Sequence, residues 1–332
     1  MRIVPDGLQS VPDICYRSRL SFPRDPVFGR PVLATGEKMD ARENFRGAGL
    51  MMVAMAAFTV NDVCIKSLAG ELPLMQAIFL RGLLSSFLMF LVARRMGAIR
   101  MRFPRRDWGL IALRSTAEIG ATFAFLTALY HMPIANVTAI LQALPLTVAL
   151  VAALVFGEPL GWRRMLAIAV GFVGVLLIVR PGAEGFSVYS LYALASVGFV
   201  TVRDLAARRL SGAVPSISVA LINAMVVTLA GGIASTVQGW EPVEPWQGAL
   251  LVMAGFFILG GYLASVMVMR MGEISFTAPF RYTGLVWALV LGYLVFGDWP
   301  RPLTLLGAGI VVATGLFTLY REAQLRRKSA RT

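Results

Sequence analysis

The sequence is poor in the residues that usually build catalytic and metal sites. Its 332 residues include two cysteines, Cys15 and Cys64, and a single histidine, His131. Two cysteines this far apart offer neither a disulfide framework nor a thiolate metal cluster. One histidine excludes the usual histidine-based zinc sites and relay triads. We therefore expect no metal, no cofactor and no catalytic residue.

Charge is also scarce, and its scarcity defines the class of protein. Only 15% of the residues are charged and 57% are hydrophobic, whereas an average soluble domain has about 25% charged residues. From Gly47 onward apolar runs recur, and those at 213–240 and 247–269 contain no charged residue. Each run is about as long as the ~20 helical residues that cross a bilayer. In lipid such runs must be helical, because no water satisfies free backbone groups.

The sequence therefore predicts an all-α integral membrane protein with ten transmembrane helices. The predicted spans are 47–69, 73–93, 108–129, 134–156, 163–180, 187–209, 215–238, 247–269, 274–297 and 302–320. Residues 1–45 are polar and proline-containing, and we interpret them as a disordered cytoplasmic tail. An alternative is that translation starts at Met39. Residues 321–332 form a basic tail.

The net charge of +13 is distributed as a topology signal. Basic residues fill the loops on one side of the predicted spans: Arg94, Arg95, Arg100, Arg102, Arg105, Arg106, Arg163, Arg164, Arg208, Arg209, Arg270, Arg321, Arg326, Arg327, Lys328 and Arg331. The opposite loops contain only Arg180 and Arg301, apart from Lys66 at a helix end. The positive-inside rule then places both termini in the cytoplasm. This pattern argues against nucleic acid as a partner.

Two short motifs occur twice at almost the same separation. TVND at 59–62 recurs as TVRD at 201–204, with Lys66 matched by Arg208, and ALVFGE at 153–158 recurs as YLVFGD at 293–298. We infer a duplicated unit, with a first repeat at 46–182 and a second at 183–320. Five spans in each unit is an odd number, so the second copy must enter the membrane in the opposite direction. The prediction is two inverted five-helix repeats, the arrangement that permits alternating access.

At these motifs the chain resembles the drug/metabolite transporter superfamily, in particular ten-span proteins with two EamA domains. The matching segments are TVND with Lys66, the following P-x2-Q-x2-F-x-R ending at Arg81, and LVFGEPLGWRRMLAIAVGFVGVLLIVRPG with its counterpart LVFGDWPRPLTLLGAGIVVATG. The resemblance covers about 46–320. It implies a bacterial inner-membrane carrier or exchanger of small polar metabolites, and many such proteins are exporters.

Ionisable groups inside spans are costly, so they are the first candidates for function. They are Asp62, Arg81, Glu118, Arg203, Asp204 and Arg281. We expect Asp62 to interact with Arg81, and Arg281 to bind an anionic group such as a carboxylate or phosphate. An alternative for Arg281 is an arginine that snorkels to the interface. The predicted substrate-binding set is Asn61, Asp62, Arg81, Glu118, Gln142, Arg281 and Tyr282.

Two acid–base pairs occur at the ends of equivalent spans. Asp62 with Lys66 and Asp204 with Arg208 have the i,i+4 spacing that favours a local pair on one helix face. They are also equivalent positions near opposite membrane faces, so we predict that they gate the pathway.

Helix-breaking residues occur at corresponding depths in spans four and nine. Pro145 cannot donate to the carbonyl of Leu141, and Pro279 and Gly284 lie in the matching segment. Such interruptions point to a central binding site, although a proline kink that only shapes packing is the alternative.

The function predicted is a secondary transporter of an amino acid or a related charged or zwitterionic metabolite. The partners are that substrate and the lipid bilayer. Coupling to a proton or a counter-substrate, and assembly as a homodimer, are left open. A flippase of a lipid-linked or amphipathic substrate is the alternative, and an intramembrane enzyme is a remote one.

Overall fold

The computed structural model describes residues 41–95, 102–157, 160–181, 186–211, 214–271 and 274–329, and these contain helices and no strand. Ten segments are long and apolar enough to cross a membrane. The helices are α1 (Ala41–Lys66), α2 (Leu74–Arg95), α3 (Arg105–His131), α4 (Ile134–Leu141), α5 (Leu144–Phe156), α6 (Trp162–Val179), α7 (Tyr189–Arg208), α8 (Ser216–Gln238), α9 (Pro245–Met271), α10 (Ile274–Thr277), a 3-10 helix (Ala278–Tyr282), α11 (Thr283–Phe296) and α12 (Pro302–Ser329).

The ten predicted spans and the all-helical class are confirmed, with small shifts at the ends. Helix α1 begins at Ala41, so residues 41–45 of the predicted N-terminal tail are helical. Helix α12 continues to Ser329, into the predicted C-terminal tail. Residues 1–40, including Met39 and Cys15, lie outside the described residues. Hydropathy marks the apolar part of a helix, and polar turns that extend it beyond the membrane do not register.

Spans four and nine are each made of more than one helix. In span four, α4 ends at Leu141 and α5 begins at Leu144, with Pro145 in its first turn. In span nine, α10 leads into the 3-10 helix that contains Pro279, and α11 follows with Gly284 near its start. Proline fits the first turn of a helix because the N–H that it lacks has no partner there. Each proline therefore marks the beginning of a new helical segment.

Helix packing follows an internal twofold relation. The main contacts of α1 are with α9, and those of α3 are with α7, so the first span of each repeat packs on the third span of the other. Helix α2 packs on its counterpart α8, and α6 on its counterpart α12. A fold with these exchanged contacts, five spans in each repeat, has two inverted repeats.

The α6–α12 contact depends on two glycines. A Cβ on Gly174 would lie against the carbonyl oxygen of Gly307, and a Cβ on Gly307 would lie against that of Gly174. Small residues at such crossings let helix backbones approach closely in membranes.

The duplicated LVFG motif ends a helix in both repeats. Gly157 closes α5 with φ 66° and Gly297 closes α11 with φ 68°. This left-handed conformation is readily adopted by glycine, which ends many helices in this way. Because the number of spans is even, the N-terminus of α1 and the C-terminus of α12 lie on one side of the membrane. We call it the terminal side, and the opposite side the far side.

Candidate functional site

The first polar cluster, the far-side network, joins α1 and α2 near their far-side ends. Arg81 Nη1 donates to Asn61 Oδ1 at 3.2 Å, and Asn61 Nδ2 donates to Asp62 Oδ1 at 2.9 Å. Asn61 is 3% exposed and Arg81 is 6% exposed. Asp62 and Arg81, which the sequence predicts to interact, are therefore connected through the side chain of Asn61.

Near this network, Lys66 forms hydrogen bonds at the end of α3. Its Nζ donates to the carbonyl oxygens of Met132 at 2.6 Å and Leu129 at 3.2 Å. The last carbonyls of a helix have no partner within that helix, so they are natural acceptors for a lysine. Lys66 Nζ also lies 5.3 Å from the ring centroid of Phe296 at the end of α11. Lys66 thus connects the end of α1 with the ends of α3 and α11. Among the described residues it forms no ion pair with Asp62 one turn earlier.

The second polar cluster, the terminal-side network, joins α3 and α7. Arg203 Nη1 lies 3.3 Å from Glu118 Oε1, and Arg203 Nε lies 2.9 Å from Asp204 Oδ1. The side chains of Arg203, Glu118 and Asp204 are 24%, 23% and 33% exposed. This cluster of charges is therefore accessible, unlike its counterpart.

Arg114 and α8 extend the terminal-side network. With the amide oxygen of Asn223 facing Arg114, that oxygen accepts from Arg114 Nε at 3.0 Å and Nη2 at 3.2 Å, and the amide nitrogen donates to Ser115 Oγ at 2.6 Å. This orientation follows because a guanidinium group has donors and no acceptor. Arg114 is within electrostatic range of Glu118, Arg203 and Asp204. Two guanidinium groups and two carboxylates are therefore gathered in one half-exposed region.

The two networks occupy equivalent positions of the two repeats. At the separation that matches Asp62 to Asp204, Asn61 corresponds to Arg203 and Arg81 corresponds to Asn223. The amide and the guanidinium have thus exchanged places between α1 and α2 on one side and α7 and α8 on the other. Of these three matched pairs, only Asp62 and Asp204 are the same residue in both repeats.

Contacts between matched residues mark the internal twofold axis. Ser86 Oγ and Thr228 Oγ1 are 3.0 Å apart, and Gln142 Nε2 donates to the carbonyl oxygen of Tyr282 at 3.4 Å. The first pair is separated by 142 positions and the second by 140. Gln142 lies at the break in span four and Tyr282 at the break in span nine, so the two interrupted spans meet at the axis.

The two duplicated motifs also meet in space. Lys66 lies over Phe296 of the LVFGD motif, and Arg209 lies over Phe156 of the LVFGE motif, with its Cζ 3.9 Å from the ring centroid. In both cases a cation at the end of a repeat's first helix contacts the aromatic ring at the end of the other repeat's fourth span. Both contacts have the geometry of cation–π interactions, and each joins one repeat to the other.

Three further predicted site residues are Arg281, Arg208 and Tyr282. Arg281 is on the 3-10 helix with an exposed side chain, and Arg208 is exposed at the end of α7. Tyr282 is buried, and its hydroxyl oxygen lies against Gly315 of α12. The position of Arg281 agrees with either of its two sequence interpretations, so its anion-binding role stays a prediction.

Sequence reasoning did not place Arg114, Ser115 and Asn223 in the site, and it named Arg203 as a candidate without assigning it a role. Arg203 was visible as an ionisable group within a span, and the repeat offset applied to Asn61 and Arg81 leads directly to Arg203 and Asn223. Within the described residues no group of three His, Cys, Asp or Glu side chains is arranged to hold a metal ion. The chemistry that the networks offer is recognition of opposite charges.

Comparison with known proteins agrees with the fold and the repeat. The pattern of the EamA-like transporter family matches residues 45–180 and 188–320. The S-adenosylmethionine uptake transporter of Rickettsia bellii is 27% identical over 85% of this chain and 96% of its own length. The pseudopaline exporter CntI of Pseudomonas aeruginosa strain UCBPP-PA14 is 25% identical over 82% and 96%, and the riboflavin transporter of Rhizobium johnstonii is 27% identical over 86% and 94%.

One crystal structure of a protein with 17% identity superposes with a TM-score of 0.60, covering 83% of this chain and 97% of that one. This likeness shows the shared fold alone. The family match, in contrast, spans both repeats and nearly the whole membrane region, and the family and its named relatives are transporters rather than enzymes. The chain belongs to the EamA-like transporter family, as a multi-pass membrane transporter with two EamA repeats.

Proposed function

We propose that the protein carries a small metabolite bearing both a positive and a negative group across the bacterial inner membrane, by alternating access. The observation that carries this proposal is the terminal-side network, in which Arg114, Glu118, Arg203 and Asp204 are gathered at membrane depth and remain half exposed. Ionisable groups at such depth are costly and mark substrate pathways.

The network can exchange its internal ion pairs for pairs with a substrate. A substrate carboxylate would take the donors of Arg203, and a substrate ammonium would take the oxygens of Glu118 or Asp204. Such an exchange avoids an unpaired charge in a low-dielectric site, which is the most costly outcome. A zwitterion such as an amino acid or an amino acid derivative has the matching pair of charges.

The far-side network supports the gating part of the proposal. Asn61 and Arg81 are buried, and Lys66 fastens α1 to the end of α3, so we interpret the structure as closed toward the far side. In an inverted-repeat transporter the opposite state is reached when the two repeats exchange conformations. Asp62 with Lys66 and Asp204 with Arg208 are then the outer and inner gating positions.

The orientation proposed has both termini in the cytoplasm, because the basic loops lie on the terminal side. It can be tested by placing a single cysteine at Glu71 or at Arg102, both exposed, in a chain with Cys15→Ser and Cys64→Ala. In intact cells, an impermeant thiol reagent should label the Glu71 variant and leave the Arg102 variant unlabelled. Labelling in the reverse pattern would contradict the orientation.

The names of the relatives narrow the substrates to be tried first. S-adenosylmethionine carries an amino acid carboxylate and ammonium, which is the charge pattern that the network fits. The relatives are named for uptake in one case and export in another, so transport must be measured in both directions.

The test is counterflow in vesicles that contain the purified protein. Labelled amino acids, S-adenosylmethionine, riboflavin and a fluorescent phospholipid form the panel, each with and without a pH gradient. We expect saturable flux of a zwitterion that is lost in Arg203→Ala and kept in the control Arg106→Ala, an exposed arginine on the terminal side of α3. The variant Arg281→Ala tests the anion-binding prediction for that residue.

A flippase of amphipathic substrates is the second candidate on the same fold. It predicts movement of the phospholipid with no saturable flux of any zwitterion, and that result would overturn the metabolite proposal. Dependence of flux on the pH gradient would indicate proton coupling, for which Glu118 and Asp62 are the available carboxylates. Dependence on a compound inside the vesicles would indicate exchange with a counter-substrate.

A further inference from the structure

The two arginines in the loops of the far side come together at one cavity. Arg180 follows α6 and Arg301 precedes α12, yet both line the same space of about 250 Å³. His131, Trp299, Asn136 and Ser190 contribute other parts of its wall. None of the described lining residues is Asp or Glu.

This convergence stands out against the charge of the surrounding loops. The other charged loop residues described on this side are Glu71, Glu241, Glu244 and Asp298, which are acidic. Basic residues are selected against in such loops of membrane proteins with this topology. Membrane topology therefore does not explain why two arginines lie at one cavity on this side.

Arg180 is also held in an unusual way. Its backbone has φ 50° and ψ 59°, and it is the one non-glycine residue with positive φ in the described part of the chain. A side chain in this left-handed conformation costs free energy that glycine would not. Within the same described part, the Nε atom of Arg180 is buried and makes no hydrogen bond. The left-handed backbone is that of the residue that ends α6, whose N–H donates to the carbonyl oxygen of Leu176. The unused buried Nε donor is what indicates a missing acceptor.

Asn136 and the aromatic groups complete the recognition surface. The Asn136 Oδ1 atom is buried without a donor among the described residues. A hydroxyl or ammonium group elsewhere on a ligand could donate to it, whereas an anionic oxygen could not. His131 stacks on Tyr189 with ring centroids 3.8 Å apart and is fixed by the contact of its Nδ1 with the carbonyl oxygen of Thr127 at 2.8 Å. The part of the wall formed by His131 is thus held in position by its neighbours.

We propose that this cavity binds the carboxylate or phosphate group of an anion on the far side of the membrane. Guanidinium groups match both groups in geometry and charge. The site is distinct from the two networks and does not depend on which substrate is carried. The anion can be a soluble metabolite or the headgroup of an anionic lipid, because the chemistry of recognition is the same.

Trp299 in the wall of the cavity provides a direct test, with Trp240 as its matched control. Both tryptophans lie on the far side, and they are 63% and 53% exposed. Trp240 precedes Glu241 and lies close in sequence to Glu244. Full-length variants that retain one of the two tryptophans, with the others changed to Phe, are placed in phosphatidylcholine nanodiscs. Their fluorescence is quenched by iodide and by neutral acrylamide at constant ionic strength.

Because a positive cavity concentrates anions, the ratio of iodide to acrylamide quenching should be at least about threefold larger for Trp299 than for Trp240. Arg180→Gln with Arg301→Gln should lower the ratio to that of Trp240. Millimolar inorganic phosphate should protect Trp299 from iodide and leave Trp240 unchanged. Equal ratios for the two tryptophans, or no protection by phosphate, would overturn the proposal.

Two further arms complete the experiment. If a single-tryptophan variant does not fold, the chain with all its tryptophans is compared with and without the two Arg→Gln changes, and loss of the phosphate-protected fraction gives the same information. Nanodiscs with phosphatidylglycerol distinguish the sources of the anion. Protection of Trp299 by this lipid without added phosphate identifies a headgroup as the occupant, and protection only by added phosphate identifies a soluble anion.

Discussion

The far-side and terminal-side networks are the same element of the repeat in two different environments. On the far side, Asn61 and Arg81 are almost fully buried and lie beneath the contact of Lys66 with α3. On the terminal side, the side chains of Arg203, which corresponds to Asn61, and of its partner Glu118 are about a quarter exposed, at 24% and 23%. The two sites occupy equivalent positions of the repeats, and in this conformation they differ in exposure.

This difference separates the consequences of mutation at the two sites. Mutation of a buried network lowers the stability of the fold, because a charge left there without its partner cannot be hydrated. A half-exposed network can be hydrated after mutation, so its loss should affect flux more than stability. The comparison predicts that mutations in the far-side network reduce stability and that mutations in the terminal-side network reduce transport.

The largest effect is expected for Arg81→Ala. Removal of this guanidinium leaves Asn61 Oδ1 without its buried donor and leaves Asp62 without the buried cation to which Asn61 connects it. Removing one charge of a buried pair costs about 3–5 kcal/mol. The free energy of unfolding in detergent should fall by roughly that amount. Arg95→Ala, at the exposed end of the same helix, is the control and should change the free energy of unfolding by less than about 0.5 kcal/mol. Similar unfolding energies for the two variants would remove the distinction between the networks.

The second effect is loss of transport in Arg203→Ala. Without this arginine Glu118 and Asp204 lose their shared partner, and a zwitterion loses the proposed contact for its carboxylate. Counterflow should fall by about 10- to 100-fold, as expected for a charged hydrogen bond of about 1.5–3 kcal/mol. The unfolding energy should change less than in Arg81→Ala. Val202→Ala, an exposed neighbour on the same helix, should transport normally, and equal loss in both variants would contradict a specific role of Arg203.

A third effect tests the closure of the far side through Lys66. Lys66→Met removes two hydrogen bonds to the end of α3, so the far side should open more often, by about tenfold if about 1.4 kcal/mol is lost. Cys64 is 1% exposed and belongs to the same buried cluster as Leu129, one of the two residues that accept from Lys66. In a Cys15→Ser chain, the rate of Cys64 alkylation from the far side should rise by that factor. Ser67→Ala removes a hydrogen bond within α1 only, and a similar rise there would mean that the lysine contact is not the closure.

The smallest effect is expected at the twofold axis, which both networks share. Ser86→Ala removes the contact with Thr228 between α2 and α8. Polar contacts between membrane helices contribute about 0.6 kcal/mol on average, so flux in both directions should change by less than about threefold. Ser85→Ala, whose hydroxyl bonds within its own helix, should be indistinguishable from wild type. A change in one direction only would show that this contact belongs to one network rather than to the axis.

The sequence was sufficient for the elements that depend on periodic or local properties. Apolar run length predicted the ten spans, and the duplicated motifs predicted the repeats because an odd number of spans reverses the second copy. Pro145 and Pro279 indicated where spans four and nine are interrupted. Each of these features is determined by residues close together in the chain.

The contacts between helices were not readable in the same way. Lys66 and Asp62 have the spacing of a local pair, but spacing does not show that the open carbonyls of α3 lie within reach of the lysine. Arg203 and Asp204 are adjacent, and neighbours in a helix do not normally face each other, so their contact was not expected. The sequence marks Arg281 as a candidate because its own helix offers no partner. Its exposed position follows from the 3-10 turn that contains it, which the sequence does not predict. Such choices are made by tertiary packing.

The central claim is that the two ends of the molecule exchange their closed and open conformations. Spin labels at Glu71 and Val295 report the distance between the loop after α1 and the far-side end of α11. Labels at Leu210 and Val155 report the distance between the segment after α7 and the terminal-side end of α5. We predict that Lys66→Met lengthens the first distance and shortens the second, with the same opposed changes when a transported zwitterion is added. If the far-side distance lengthens while the terminal-side distance stays constant, or if both change in the same direction, the account of alternating closure by equivalent networks is contradicted.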